Sequence, residues 1–110
     1  MRRQFRGMEM DLRSQLLAWQ VVLTAEASDW TAIQQQGQAI AQTLAQTEGD
    51  RYLTYRLEIE KHLRLLQLDL SFWQRSRASQ SQHVRVAALQ QRQQTLIRYC
   101  EAVLTAIAQA

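Results

Sequence analysis

The stretch that decides the fold is YLTYRLEIEKHLRLLQLDLSFW, residues 52–73. Its apolar residues recur mostly at intervals of three and four, which places them on common faces of an α-helix. One row consists of Tyr52, Ile59, Leu63, Leu66, Leu70 and Trp73, and a second row consists of Leu53, Leu57, Leu68 and Phe72. Because two apolar rows are typical of a helix packed on several sides, we expect this helix, residues 51–76, to be central and least exposed.

The same spacing predicts three further helices, at residues 8–27, from Trp30 to the turn at 47–50, and at residues 82–108. Their apolar rows are Leu12, Leu16, Trp19 and Leu23; Trp30, Ile33, Gly37, Ile40 and Leu44; and Val86, Leu89, Leu96, Cys100, Val103 and Ile107. Asp29 and Asp50 are candidate N-caps, and Gly49 is a candidate C-cap. Gly37 lies within its row, which favours close approach of a neighbouring helix or of the Trp19 ring.

Composition agrees with an all-helical fold. The 110 residues include no proline, no asparagine and three glycines, so an all-β or α/β fold would lack turn residues. We predict an all-α, antiparallel four-helix bundle with two short N-terminal helices and two long C-terminal helices. The bundle would span residues 8–110 as one domain, after a disordered basic arm at residues 1–7. Since helices of about 27 Å and about 38 Å do not match in length, the overhanging long pair predicts a homodimer.

The sequence also indicates a compartment. Cys100 is the single cysteine, whereas small secreted domains usually carry an even set for disulfides. Met8-Glu9-Met10-Asp11 follows the basic start where a signal peptide would have an apolar segment. The apolar run from Leu16 to Leu23 is shorter than the ~20 residues that cross a bilayer. We therefore expect a cytoplasmic protein that does not enter the membrane.

The sequence lacks the residue spacings of known catalytic and metal-binding motifs. Glu58 and His62 stand four apart, and neither histidine belongs to a Glu-x-x-His motif of the kind used by di-iron bundles. This spacing predicts an exposed i, i+4 pair rather than a metal site. Cys100 lies within an apolar row, which predicts a buried structural thiol. We expect no metal, no cofactor and no enzymatic activity.

Charge is distributed unevenly along the chain. Residues 75–98 contain Arg75, Arg77, Arg85, Arg92 and Arg98 and no acidic residue, whereas residues 14–50 contain four acidic residues and no cation. This layout favours an acidic partner near the connection between the third and fourth helices. The alternative is that these arginines are solvated or pair within the bundle. Scattered arginines before a long helix are not typical of a DNA-recognition element, so we expect a protein partner and not nucleic acid.

Two blocks carry a family resemblance: EIEKHLRLLQLDLSFWQRSR, residues 58–77, and TLIRYCEAVL, residues 95–104. They resemble the PatD family of cyanobacteria, the heterocyst frequency control proteins. The resemblance covers most of the chain and is specific only in these two blocks. It implies a small helical cytoplasmic regulator that binds the tubulin-like division protein FtsZ, promotes its assembly, and so influences division and the proportion of differentiated cells. No catalytic residue is transferred by it.

The sequence therefore predicts a non-enzymatic regulatory protein, with FtsZ as the expected partner. The candidate partner-binding residues are Lys61, Arg64, Arg75, Arg77, Arg85, Arg92, Arg98 and Tyr99. Local salt bridges and solvation are the competing explanation for these side chains. Two other classes of function remain open, a helical nucleic-acid-binding module and a structural coiled-coil adaptor.

Overall fold

The computed structural model describes residues 2–47, 49–75 and 82–109. It contains four α-helices: α1 (Arg2–Thr24), α2 (Trp30–Ala45), α3 (Leu53–Arg75) and α4 (Gln82–Ala108). No strand occurs within these ranges. The prediction of an all-α helical bundle is confirmed.

The helices pack as a closed ring in which each helix contacts two neighbours, in the order α1, α2, α3, α4 and back to α1. In each contacting pair, residue numbers rise along one helix as those of their contacts fall along the other. In the α1–α4 pair, for example, the carbonyl oxygen of Leu16 accepts from the Cys100 thiol while that of Leu23 accepts from the Gln93 amide. The four helices are therefore antiparallel to their neighbours around one shared core.

The predicted apolar rows supply this core. The fully buried side chains include Leu12, Leu16, Trp19, Leu23, Ile33, Ile40, Ile59, Leu66, Leu96, Cys100 and Val103. Gly37 is buried where α1, α2 and α3 approach one another, and a Cβ atom there would lie 2.8 Å from Leu63 Cδ2 and 3.1 Å from Trp19 Cζ2. The Trp19 ring is fixed in this position because its indole N–H donates to the Ile33 carbonyl at 3.0 Å. Both expectations for Gly37, helix approach and room for Trp19, are confirmed.

The helix ends agree with the sequence in one place and differ in another. Asp29 caps α2 as predicted, since its carboxylate accepts from the Ala32 amide at 3.0 Å. Helix α3 begins at Leu53 instead of residue 51, so Asp50 lies in the preceding turn and is not its N-cap. Gly49 occupies the same turn with a φ of 81°, a left-handed conformation that glycine adopts without a steric penalty.

Helix lengths differ from the prediction at the N-terminus. Helix α1 begins at Arg2 and ends at Thr24, whereas the sequence predicted residues 8–27. Its 23 residues equal those of α3, so α2, with 16 residues, is the one short helix of the four. The backbone of residues 2–7, expected to be a disordered arm, is helical. The C-terminal pair consequently has a long neighbour in α1, so the length mismatch behind the dimer prediction persists only beside α2.

The prediction that α3 is the central, least exposed helix is wrong. Its first apolar row is buried or half-buried, but all four members of its second row are exposed. The ring arrangement explains this difference, because every helix has two neighbours and α3 has no third one to cover its far side. The connection after α3, predicted to be flexible, lies at residues 76–81, outside the described residues.

Candidate functional site

The side of α3 that points away from the core carries both apolar and basic side chains. By helical spacing, it consists of Leu53, Leu57, Lys61, Arg64, Leu68, Phe72 and Arg75, and we call it the outer face of α3. The four apolar side chains are 38%, 49%, 52% and 40% exposed, in chain order. The three basic side chains are exposed as well.

An apolar row of this length on a helix surface is unusual for a protein that buries its other rows. Single exposed hydrophobic residues are ordinary, whereas an aligned set rimmed by polar groups marks an interaction surface. Elsewhere in residues 11–47, 49–75 and 83–109, the large exposed hydrophobic residues are Leu17 and Val21 on α1 and Val84 on α4. Among the residues whose burial is described, the outer face of α3 thus carries the most exposed large hydrophobic side chains.

A polar network joins α3 to α4 beside this face. The carboxylate of Glu58 accepts from the Tyr99 hydroxyl at 3.1 Å and forms an ion pair with Lys61 at 3.1 Å. One turn further along, the guanidinium of Arg92 donates to His62 Nδ1 at 2.9 Å. Its Nε–H also bonds the Asp69 carboxylate at 3.1 Å. These bonds fix the register of the two helices.

The network determines how its members ionise. Burial, followed by the nearby positive charges of Arg92 and Lys61, lowers the pKa of His62 below its usual value of 6.5. Hydrogen bonds from Lys61 and Tyr99 lower the pKa of Glu58, and burial together with that same carboxylate raises the pKa of Tyr99. His62 is thus a neutral acceptor for Arg92. The predicted exposed Glu58–His62 pair is instead half-buried, because α4 covers it.

The structure divides the predicted partner-binding residues among several places. Lys61, Arg64 and Arg75 lie on the outer face of α3. The Arg85 guanidinium stacks over the Phe72 ring at 4.9 Å, at the edge of that face. Three members lie elsewhere, Arg92 and Tyr99 in the α3–α4 network and Arg98 beside a groove between α1 and α4. Arg77 lies outside the described residues.

Sequence reasoning missed the apolar half of the outer face, because it assigned Leu53, Leu57, Leu68 and Phe72 to the core. It also missed Asp69 as the partner of Arg92. The spacing of charged residues within one helix could not predict this ion pair, because Asp69 belongs to α3 and Arg92 belongs to α4. Lys61 and Arg64 lie between Leu57 and Leu68 on the same face of the helix. Since a fully buried row rarely contains charged residues, their positions could have predicted that this row is exposed.

Cys100 has no features of a reactive thiol. It is fully buried, it donates a hydrogen bond to the Leu16 carbonyl at 3.3 Å, and burial raises its pKa to about 12. The prediction of a buried structural cysteine is confirmed. Within the described ranges, no three histidine, cysteine or acidic side chains come together as a metal site would require. Within the same ranges, no helix has the length and apolar character needed to cross a membrane.

Comparison of the chain with models of protein families, with curated proteins and with solved structures gives no match. A function for this chain is therefore inferred from the exposed side chains on the outer face of α3.

Proposed function

We propose that this chain is a non-enzymatic regulatory protein that acts by binding another protein in the cytoplasm, and that its partner is FtsZ. The binding function rests on the outer face of α3. The choice of FtsZ rests on the resemblance of residues 58–77 and 95–104 to the PatD family, which implies that partner and an increase in its assembly.

The exposed apolar row of α3 is the observation that supports a binding function. Leu57 and Leu68 are each about half exposed, at 49% and 52%, although the chain buries equivalent leucines elsewhere. Burying such a side chain in an interface stabilises a complex by roughly 1 to 2 kcal/mol, at about 25 cal/mol per Å² of apolar area. Four such side chains on one helix face can serve as the apolar anchors of a docking surface.

The basic side chains of the same face give it a preference among partners. Arg64 and Arg75 are exposed, and neither forms an ion pair within the described residues. An acidic protein surface would be attracted to them, and a basic one would be repelled. This part of the sequence-based hypothesis is retained for Lys61, Arg64 and Arg75. Lys61 also pairs with Glu58, but its side chain is 51% exposed on the outer face. Arg92 and Tyr99 are half-buried and bonded within the network, so this proposal does not use them.

Sedimentation of FtsZ filaments tests the proposal. Wild-type protein should pellet with assembled FtsZ and increase the amount of FtsZ that pellets. An Arg64→Glu, Leu68→Ser double variant should lose at least about tenfold in apparent affinity, which corresponds to about 1.4 kcal/mol. An Arg13→Glu, Leu17→Ser variant makes the same two changes on exposed positions of α1 and should bind normally.

Three results would decide against the proposal. Failure of the wild-type protein to pellet with FtsZ at any concentration tested would remove FtsZ as the partner. Equal losses in the α3 and α1 variants would remove the outer face as the site. Binding to nucleic acid that weakens steeply with added salt, in the absence of FtsZ binding, would favour the nucleic-acid-binding class.

The homodimer expected from the sequence stays a prediction. The dimer was predicted because α3 and α4 would extend beyond two shorter helices. Helix α1 is as long as α3, so α3 does not extend beyond it for lack of length. A second copy could contact the exposed apolar side chains of α1 or those of α3. Light scattering over a range of concentrations decides whether the protein dimerises.

A further inference from the structure

We infer that the outer face of α3 binds one amphipathic helix of the partner, whose apolar residues flank a central group of carboxylates. This inference rests on the proposed protein-binding function and specifies the chemistry of the segment that docks. It follows from the shape of the face, from its charge order and from the absence of exposed strand edges in the described residues.

The exposed side chains form two short rows that follow one another along α3. Leu53, Leu57 and Lys61 are spaced by four, and so are Arg64, Leu68 and Phe72. Rows spaced by four are the ridges that interdigitate with those of a facing helix when two helices pack. The apolar ends are about 28 Å apart from Leu53 to Phe72, at 1.5 Å per residue. A partner helix of about five turns would span that length.

Backbone chemistry also favours a helix over an extended segment. An extended peptide leaves its N–H and C=O groups to be satisfied by the surface that binds it. All four described elements are helices, whose interior backbone groups are already hydrogen-bonded, so they offer no strand edge. A docked helix satisfies its own backbone groups and needs only side-chain complementarity.

The order of charge along the face specifies the partner's sequence pattern. Lys61 and Arg64 lie between the apolar pair Leu53–Leu57 and the apolar pair Leu68–Phe72. The nearby carboxylates of Glu58 and Glu60 lie to either side of the face, where they pair with Lys61 and Arg56. Arg64 therefore provides the central unpaired charge, and a carboxylate on the partner opposite it would form a partly buried, charge-assisted contact.

The same charge order argues against a second copy as the occupant. In a two-fold dimer that buries the whole of this face, the centre of one α3 helix packs against the centre of the other. Lys61 and Arg64 would then face the same cations of the partner subunit in either helix direction. Like charges at the centre of an interface oppose association, so the face is suited to a different, acidic chain.

Binding of designed peptides tests this inference independently of FtsZ. Three fluorescent, helix-stapled peptides of about five turns would share one framework. The first has leucines in its end turns and glutamates in the middle, the second replaces the glutamates by lysines, and the third replaces the end leucines by serines. Fluorescence anisotropy should show that the first binds at least about tenfold more tightly than either of the others.

Protein variants locate the peptide on the molecule. Arg64→Glu and Leu68→Ser should each weaken binding of the acidic peptide several-fold. Arg13→Glu and Leu17→Ser on α1 are the matched controls and should leave it unchanged. The acidic peptide should also displace the protein from FtsZ filaments.

Several outcomes would overturn the inference. These are equal binding of the acidic and basic peptides, no detectable binding of the acidic peptide, or equal effects of the α1 and α3 variants. A concentration-dependent dimer that Arg64→Glu strengthens would make a second copy the occupant and would likewise overturn it. Selective peptide binding without FtsZ binding would overturn the proposed partner alone, whereas FtsZ binding without peptide selectivity would overturn the docking inference alone.

Discussion

His62 lies where α3 and α4 meet, and its Nδ1 atom accepts a hydrogen bond from Arg92 at 2.9 Å. Its Nε2 atom lies 3.6 Å from the Glu58 carboxylate, and its ring packs beside that of Tyr99 with 5.6 Å between centroids. Protonation at Nδ1 would remove the acceptor and place a cation beside the Arg92 guanidinium. The position is thus favourable for a neutral imidazole and unfavourable for a charged one.

We predict that this residue makes the fold less stable in mild acid. The pKa of His62 in the folded protein lies below the ordinary value of 6.5, so the unfolded chain binds the proton first. Its contribution is complete above about pH 6.5 and is lost as the pH falls from there through the lowered folded pKa. Urea unfolding from about pH 7 to about pH 5 should show a shallower fall for His62→Gln than for wild type. Identical slopes in the two proteins would contradict the prediction.

At the level of the helix, the sequence predicts which residues enter the core wherever one apolar row stands alone. In α1, Leu12, Leu16, Trp19 and Leu23 form such a row, and the period of the α-helix is sufficient to assign it to the inside. In α3 there are two rows of similar residues, and periodicity does not say how many neighbours a helix has. The assignment of Leu57 and Leu68 to the core failed for this reason.

The contacts between helices could not be predicted either, because the pattern of one helix does not give its register against another. Gln93 interrupts the apolar row of α4, and its position alone gave no reason for a polar residue there. In the structure, its amide donates to the Leu23 carbonyl near the end of α1 and accepts from the Ser28 hydroxyl. Carbonyl groups in the last turn of a helix lack partners within the helix, so Gln93 completes the end of α1. Only the register of α4 against α1 reveals this role.

Gly37 gives a prediction about how closely α2 approaches its neighbours. Alanine at this position would gain about 1 kcal/mol in helix propensity, but its Cβ atom would meet Leu63 and the hydrogen-bonded Trp19 ring. Overpacking of a core costs about 1–3 kcal/mol. We therefore expect Gly37→Ala to lower the free energy of unfolding by about 1 kcal/mol net, as measured in urea.

A second substitution separates crowding from other causes. Leu63→Val removes the side-chain ends closest to the new methyl group, so Gly37→Ala should cost less in that background than in the wild type. The control for helix propensity alone is the difference in stability between Gln38→Gly and Gln38→Ala at the exposed neighbouring position. A net increase in stability for Gly37→Ala would show that Leu63 and Trp19 shift to accommodate the methyl group at little cost.

For the whole molecule, the closed ring makes each helix depend on two others. Side chains from all four helices fill one core, with Trp19, Ile33, Ile59 and Leu96 each fully buried. No helix can leave without exposing the rows of both neighbours to water. A domain of this size with a single core is expected to unfold as one unit.

This arrangement predicts that the same leucine-to-alanine substitution changes the free energy of unfolding strongly at one position and little at another. Leu96 is 0% exposed and Leu68 is 52% exposed, and both lie within helices. Leu96→Ala should lower the free energy of unfolding by about 3 kcal/mol through lost burial and the cavity that remains. Leu68→Ala should change it by less than about 0.5 kcal/mol, while weakening the binding assigned to the outer face of α3. Circular dichroism and tryptophan fluorescence should give coincident transitions for both variants; a large loss of stability in Leu68→Ala would mean that this side chain supports the core rather than a partner.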